Sequence, residues 1–310
     1  MNPFARRRPG QPGDDSPDAT FSYLTAAQAA SIRALVRAAF AERGLEVVVH
    51  ADHVASSDGG QYGLTNIAAL CHSLPRRDWP GATRRHVESV LRAMNTPAPD
   101  ELTQAEVLER VFVRVMGTSS LADLSGLSYR RDLGGDLVEL LALDYEEHVA
   151  LLRDEVVDQF DLDAVRHAGL ANLLAEPFGD FHEVKADRKG TFGLVVGDSV
   201  YTASRLLTMD DVLRRTLGEV SSPDGLLACV PTRHQLAFHV LRDRTAVAAL
   251  EAMAQFALSG FADGVGAVSP FLYWMRGGRL EQLTRVDDDG DLQLDVIGDL
   301  SAVLARLSAD

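Results

Sequence analysis

The chain has 310 residues, 46% of them hydrophobic and 24% charged, a globular composition that excludes fibrous and fully disordered classes and suits one or two domains of roughly 150 residues each. A formal net charge of −15 argues against gripping nucleic acid, because that affinity rests on Lys and Arg displacing counterions from phosphates. The two cysteines, Cys71 and Cys229, lie far apart in apolar stretches and read as buried thiols of a reducing compartment rather than as a disulfide or zinc cluster.

Residues 1–20 are rich in Pro, Gly and Arg with little aliphatic bulk and are expected to form a flexible tail. Arg6, Arg7 and Arg8 have no apolar run behind them, so no export signal is complete. Thr25 and Gln28 then form a capping box, and Ile32, Leu35, Val36, Ala39 and Phe40 recur at helical spacing up to Gly44. Leu45–His50 is β-branched, Ser56–Gly60 carries turn chemistry, and Tyr62 and Leu64 follow, which predicts a small antiparallel sheet. Two helices are expected next, the second with Val87, Val90, Leu91 and Met94 on one face, broken by the proline-containing stretch Asn95–Asp100, a candidate linker.

Thr103 and Glu106 form a second capping box, and Val107, Leu108, Val111, Phe112 and Val115 predict one continuous helix behind it. The Gly- and Ser-rich stretch 117–126 marks the expected domain boundary, followed by strands over 127–131 and 137–143 around Gly134-Gly135. Asp161 or Asp163 caps a helix that Pro177 ends. Beyond it, hairpins are predicted over 192–203, 225–241 and 271–283, with helices over 209–217 and 247–261, then a strand at 292–296 and a final helix. No fixed-period repeat is visible. The expected fold class is α+β, two mixed domains (21–117 and 118–310) in which antiparallel hairpins pack with amphipathic helices. With no apolar run near the ~20 residues that span a bilayer, the expected location is cytoplasmic, without integral membrane association.

The stretch Ala171-Asn172-Leu173, then Tyr201 to Leu207, Cys229 to His234 and Val268 to Tyr273, resembles the YtpQ-like family of bacterial proteins of unknown function. Phe21–Asn66 and Leu141–Asp144 are similar to that family's earlier segments. The resemblance implies a fold and brings no activity, cofactor or catalytic residue with it.

Chemistry has few anchors. There is no phosphate loop ending in Gly-Lys-Ser/Thr, no Gly-x-Ser-x-Gly elbow and no His-Glu-x-x-His. His50 and Asp52 form, with His53, the one tight cluster of metal-ligand types; on a strand His50 and Asp52 would share a face, whereas a polar strand end is the plainer reading. Arg233 and His234 follow an apolar strand, where sites are often assembled, and Ser204 and Arg205 would reach the same rim if the two hairpins are neighbours; ordinary charged turns are the alternative. Between Asp132 and Asp163 there are eleven acidic residues opposed only by Arg153, a docking face for a basic partner or a solvated surface. The run Asp287–Asp291 resembles the start of a calcium loop but lacks the closing Glu. These features favour a non-enzymatic interaction or adaptor protein that binds another protein. The alternative is an enzyme or small-anion-binding protein using Arg233, His234, Ser204 and Arg205. No cofactor is indicated.

Overall fold

A computed structural model describes residues 15–56, 61–93, 96–121, 123–145, 148–186, 190–218, 223–263, 266–287 and 292–309. The fold is α+β, and the chain divides into two compact units, Met1–Thr96 and Pro97–Asp310.

In the first unit, α1 (Ala26–Ala41) starts at the capping box read from sequence: the Gln28 N–H donates to Thr25 Oγ1 at 3.2 Å and Thr25 N–H to Gln28 Oε1 at 2.8 Å. Its buried side, Ile32, Val36, Ala39 and Phe40, packs with Ile67 and Cys71 of α2 (Thr65–Ser73) and Trp79 and Val87 of α3 (Trp79–Ala93). Beside them β1 (Val47–Val49), β2 (His53–Ser56) and β3 (Gln61–Gly63) form an antiparallel sheet. The tail expected over 1–20 reaches the described residues only from 15 onward, and that part is held in place. Both terminal nitrogens of Arg33 donate to Asp18 at 3.0 Å, and Asp18 also accepts the backbone N–H of Thr20 and Phe21.

The second unit opens with α4 (Gln104–Arg110), which stops where the sequence pattern predicts it should continue. Residues Val111–Gly117 are β4 instead, with every second residue buried. Val111 and Val115 fit a helical face as well as a strand face, so the two periods could not be separated over so short a run; the β-branched valines and seven pairs with β6 (Leu137–Asp144) settle it as strand. Because β4 is built into a sheet with β6, β5 (Arg131–Gly134) and β7 (Val149–Leu151), it belongs to the second unit. The division therefore falls at 96/97, inside the proline-containing stretch, rather than at 117/118.

After α5 (Asp154–Val157) and α6 (Leu162–Ala175), capped by Asp161, come β8 (Asp180–Lys185), β9 (Thr191–Val196), a 3-10 turn over Thr202–Thr208 and α7 (Met209–Leu217). Then follow β10 (Leu226–Cys229), β11 (Gln235–Val240), α8 (Thr245–Asp263), β12 (Tyr273–Arg276), β13 (Arg279–Gln282), β14 (Thr284–Val286), β15 (Leu292–Leu294) and α9 (Gly298–Ala309). The acidic run Asp287–Asp291 lies outside the described residues beyond Asp287.

Six strands make the main sheet, antiparallel throughout in the order β13-β12-β10-β11-β9-β8. One face, with Phe192, Leu227, Cys229 and Trp274, is covered by α8 and α9. The other, with Val195, Ala228, Leu236, Phe238 and Tyr273, is covered by the 3-10 turn, α7 and the tip of the β4-β6 sheet. Helix α8 is long and apolar enough to cross a membrane, yet Ala246, Leu250, Met253 and Ala257 are buried against this sheet, which is the job of a core helix. The strand expected over 127–131 begins only at Arg131, as β5, and the pairing of β9 also differs from the sequence pattern. Residues 200–203, read as the partner of β9, are turn and 3-10, and β9 pairs with β8, a strand too polar to signal itself.

Candidate functional site

The turn at Arg233 and His234 lies against residues 197–203, although these do not form the second strand of the expected hairpin. The Ala203 N–H donates to the Arg233 carbonyl at 3.0 Å and the Gly197 N–H to the His234 carbonyl at 3.1 Å. The side chains, however, are committed to the fold. Arg233 Nε donates to His234 Nε2 at 2.9 Å, so Nδ1 carries the imidazole proton and donates to the Gly197 carbonyl at 3.1 Å. Burial and then the Arg233 charge hold the His234 pKa below the ordinary value, consistent with a neutral ring whose two nitrogens are both occupied.

Ser204 and Arg205 are buried, each about 1% exposed, and do not reach that rim. Ser204 Oγ accepts the Val115 N–H at 3.0 Å, which satisfies a donor on the outer side of β4. Arg205 donates to the carbonyls of Glu176 and Pro177 at 2.8 and 3.0 Å, closing the C-terminal end of α6, and its guanidinium lies 5.0 Å from the Phe178 ring. Periodicity could not reveal this, since a 3-10 turn packed on two elements buries consecutive residues from Tyr201 to Leu206.

The candidate metal ligands fare differently from their reading as strand residues. His50 to Asp52 form the β1–β2 turn, with the His50 N–H donating to the His53 carbonyl at 2.8 Å. His53, expected to point away, stacks on the His50 ring at 4.4 Å and bonds Asp52 Oδ1 through Nδ1 at 2.7 Å. Among the described residues no three His, Cys, Asp or Glu side chains are placed to share a cation.

Two buried polar groupings were missed by sequence reasoning. Asp136, in the turn before β6, accepts from Ser269 Oγ at 2.9 Å and from the Tyr273 hydroxyl on one oxygen, while its other oxygen is buried with no hydrogen bond. Burial pushes its pKa up, against the two hydroxyls that lower it. Tyr201 stacks on Phe112 at 4.2 Å and donates to Asp144 at 3.1 Å, with the largely buried Arg114 nearby. Asp136 lies 133 and 137 residues from Ser269 and Tyr273, and Asp144 lies 57 from Tyr201, so no local spacing links these carboxylates to their hydroxyls.

The open feature of the second unit is the end of the main sheet. Among the described residues β8 is paired on one side only, by β9, and five of its six residues are exposed. At its centre Gly193 lies across from Glu183 and Phe238, and a Cβ there would come within 2.9 Å of both the Phe181 and Phe238 rings. The absent side chain lets Phe181, 37% exposed, lie over the sheet beside Phe238 with 6.2 Å between ring centres. Together with Leu217 at the end of α7, 42% exposed, the rings line a hollow of about 240 Å³ whose rim carries Glu183, Arg242 and Asp243. At the start of β8 a second hollow of about 510 Å³ is lined by Glu176, Asp180, Asp198 and Ser199 and by no basic side chain. Ser199 donates to Glu176 at 3.0 Å, and among the described residues Asp180 and Asp198 have no ion-pair partner. In comparison with known proteins, no family model matches the chain, nor does any curated protein or any solved structure.

Proposed function

We propose that the chain is a protein-binding module whose docking element is the unpaired edge of β8, and that it works in the cytoplasm. The observation that carries this reading is a six-residue sheet edge with both an apolar hollow and exposed aromatic surface beside it. An unpaired strand presents a row of backbone donors and acceptors that an extended segment of another protein can complete, and side-chain pockets beside the edge supply selectivity. Natural edges are often protected by charge, and β8 does carry Asp180, Glu183 and Lys185, but Phe181 between them offers apolar contact rather than protection. A place in the YtpQ-like family is compatible with this proposal and assigns no catalytic residue.

A second reading, an enzyme or small-anion-binding protein at the Arg233/His234 rim, is favoured by one feature: the Arg233 guanidinium is largely desolvated, and after burial the Arg114 charge further disfavours its charged form. One experiment separates the two. Native mass spectrometry of the protein isolated gently from its host is expected to show a second polypeptide at fixed stoichiometry, retained in Arg233→Ala and lost in Phe181→Lys. A bound small anion lost in Arg233→Ala, or a polypeptide that survives Phe181→Lys, would overturn the docking reading.

A further inference from the structure

We infer that the partner segment seated on β8 is an extended, basic strand with an apolar residue followed three positions later by Arg or Lys, an inference that rests on the docking reading above. The register of the sheet gives the spacing. A strand added antiparallel to β8 puts one residue opposite Glu183, whose β9 partner is Gly193, and the third residue after it opposite Asp180. Residues Phe181 and Glu183 share a face with Gly193 and Phe238, so the residue opposite Glu183 projects beside the Phe181, Leu217 and Phe238 hollow. Three positions on, the side chain projects to the opposite face, on the side of Asp180 and Val196, which line the hollow shared with Glu176 and Asp198.

The two hollows ask for different chemistry. The first takes an aliphatic or aromatic side chain, because burying Phe181 and Leu217 removes from water two of the large apolar side chains that the fold leaves exposed. The second has no basic side chain in its lining, and although Glu176 already accepts from Ser199 and faces the buried Arg205, the Asp180 and Asp198 carboxylates are acceptors for an entering guanidinium or ammonium. The net charge of −15 on the whole chain draws the same kind of partner at long range and makes its association sensitive to salt. A segment with acidic residues at these positions would meet repulsion at Asp180, Glu183 and Asp198 together.

The probe for the test is the capped peptide acetyl-Thr-Val-Phe-Thr-Val-Arg-Val-Thr-amide, titrated against the full chain by isothermal titration calorimetry, beside the same peptide with Glu in place of Arg. The Arg peptide is expected to bind with a dissociation constant of about 10–100 µM, at least about tenfold more tightly than the Glu peptide, a ratio that corresponds to ~1.4 kcal/mol. In the double variant Asp180→Lys with Asp198→Lys the preference should reverse, and Phe181→Lys should abolish binding of both. Equal binding of the two peptides to the unmodified chain would overturn the basic-partner inference and leave the edge reading standing. No binding by either peptide, or binding that persists in Phe181→Lys, would overturn the inference, while the edge reading is judged separately by the native spectrum of the Phe181→Lys protein.

Discussion

Two polar regions of the second unit behave oppositely. Around Ser204, Arg205, Arg233 and His234 the charged and hydrogen-bonding atoms turn inward: a serine satisfies a strand N–H, an arginine closes a helix end, and a histidine is bonded through both ring nitrogens. Along β8 the polar side chains face water, one row of backbone groups has no strand beside it among the described residues, and the aromatic ring among them is partly exposed. Residue type misleads about which of the two is open to solvent. The Ser, Arg and His that look like chemistry hold the fold, and an unremarkable Asp-Phe-His-Glu-Val-Lys segment forms the exposed sheet edge.

Substitutions can break this contrast. The largest effect is expected at Arg205, where alanine leaves two carbonyls without their donor and opens a void beside Phe178. Arg205→Ala should lower unfolding free energy by about 3 kcal/mol in urea titration, against less than about 0.5 kcal/mol for Phe181→Lys on the exposed edge. If the two variants lost equal stability, the division into a closed rim and an open edge would fail.

A step down in size, Ser204→Ala should cost about 1–2 kcal/mol, because the Val115 N–H would be buried without an acceptor. Thermal unfolding reads it, and recovery in Ser204→Thr would identify the hydroxyl, rather than packing, as the cause.

Asp136 supplies a pH test. Its folded pKa is raised, so its contribution favours the folded state when the carboxyl is protonated at low pH and is lost as pH rises through the folded value. Asp136→Asn should therefore raise stability at pH 7 by about 1 kcal/mol and lose that advantage near pH 4. An advantage that was instead constant with pH would place the effect in packing. Asp18 runs the other way in the first unit. Its bond to Arg33 lowers its pKa to about 2, so the stability it lends is present above the ordinary carboxylate range and fades as pH falls toward 2. Solvent screening at the surface keeps this to about 1 kcal/mol, measurable as the acid dependence of the difference between the wild type and Asp18→Asn. The smallest signal is spectroscopic: imidazole ¹⁵N shifts should report His234 as the Nδ1–H tautomer at pH 6.5, and a protonated ring at that pH would contradict the closed rim.

What the sequence made legible was local. The capping boxes at Thr25 and Thr103 start helices where expected, Gly277-Gly278 turns the β12–β13 hairpin with both φ angles positive, and Met209–Leu217 is the helix its spacing predicts. What remained hidden depended on partners far along the chain. Val111–Gly117 is a strand because β6 lies beside it, and β8 is a strand because β9 does, although its own residues show no apolar alternation. The candidate site was read in the same local way. The hairpin expected over 192–203 is not formed, and the inward direction of Ser204 and Arg205 follows from carbonyls about 28 residues back and a strand N–H 89 residues back, which spacing does not encode.

The central claim is that the β8 edge is open in the isolated protein and closed by a partner, and amide hydrogen exchange tests it directly. The account predicts that alternate amides of Asp180–Lys185 exchange orders of magnitude faster than those of β10 at the centre of the same sheet, and become protected when the Arg peptide is added. Amides of β8 as slow as those of β10 in the isolated protein, or unchanged by the peptide, would contradict it.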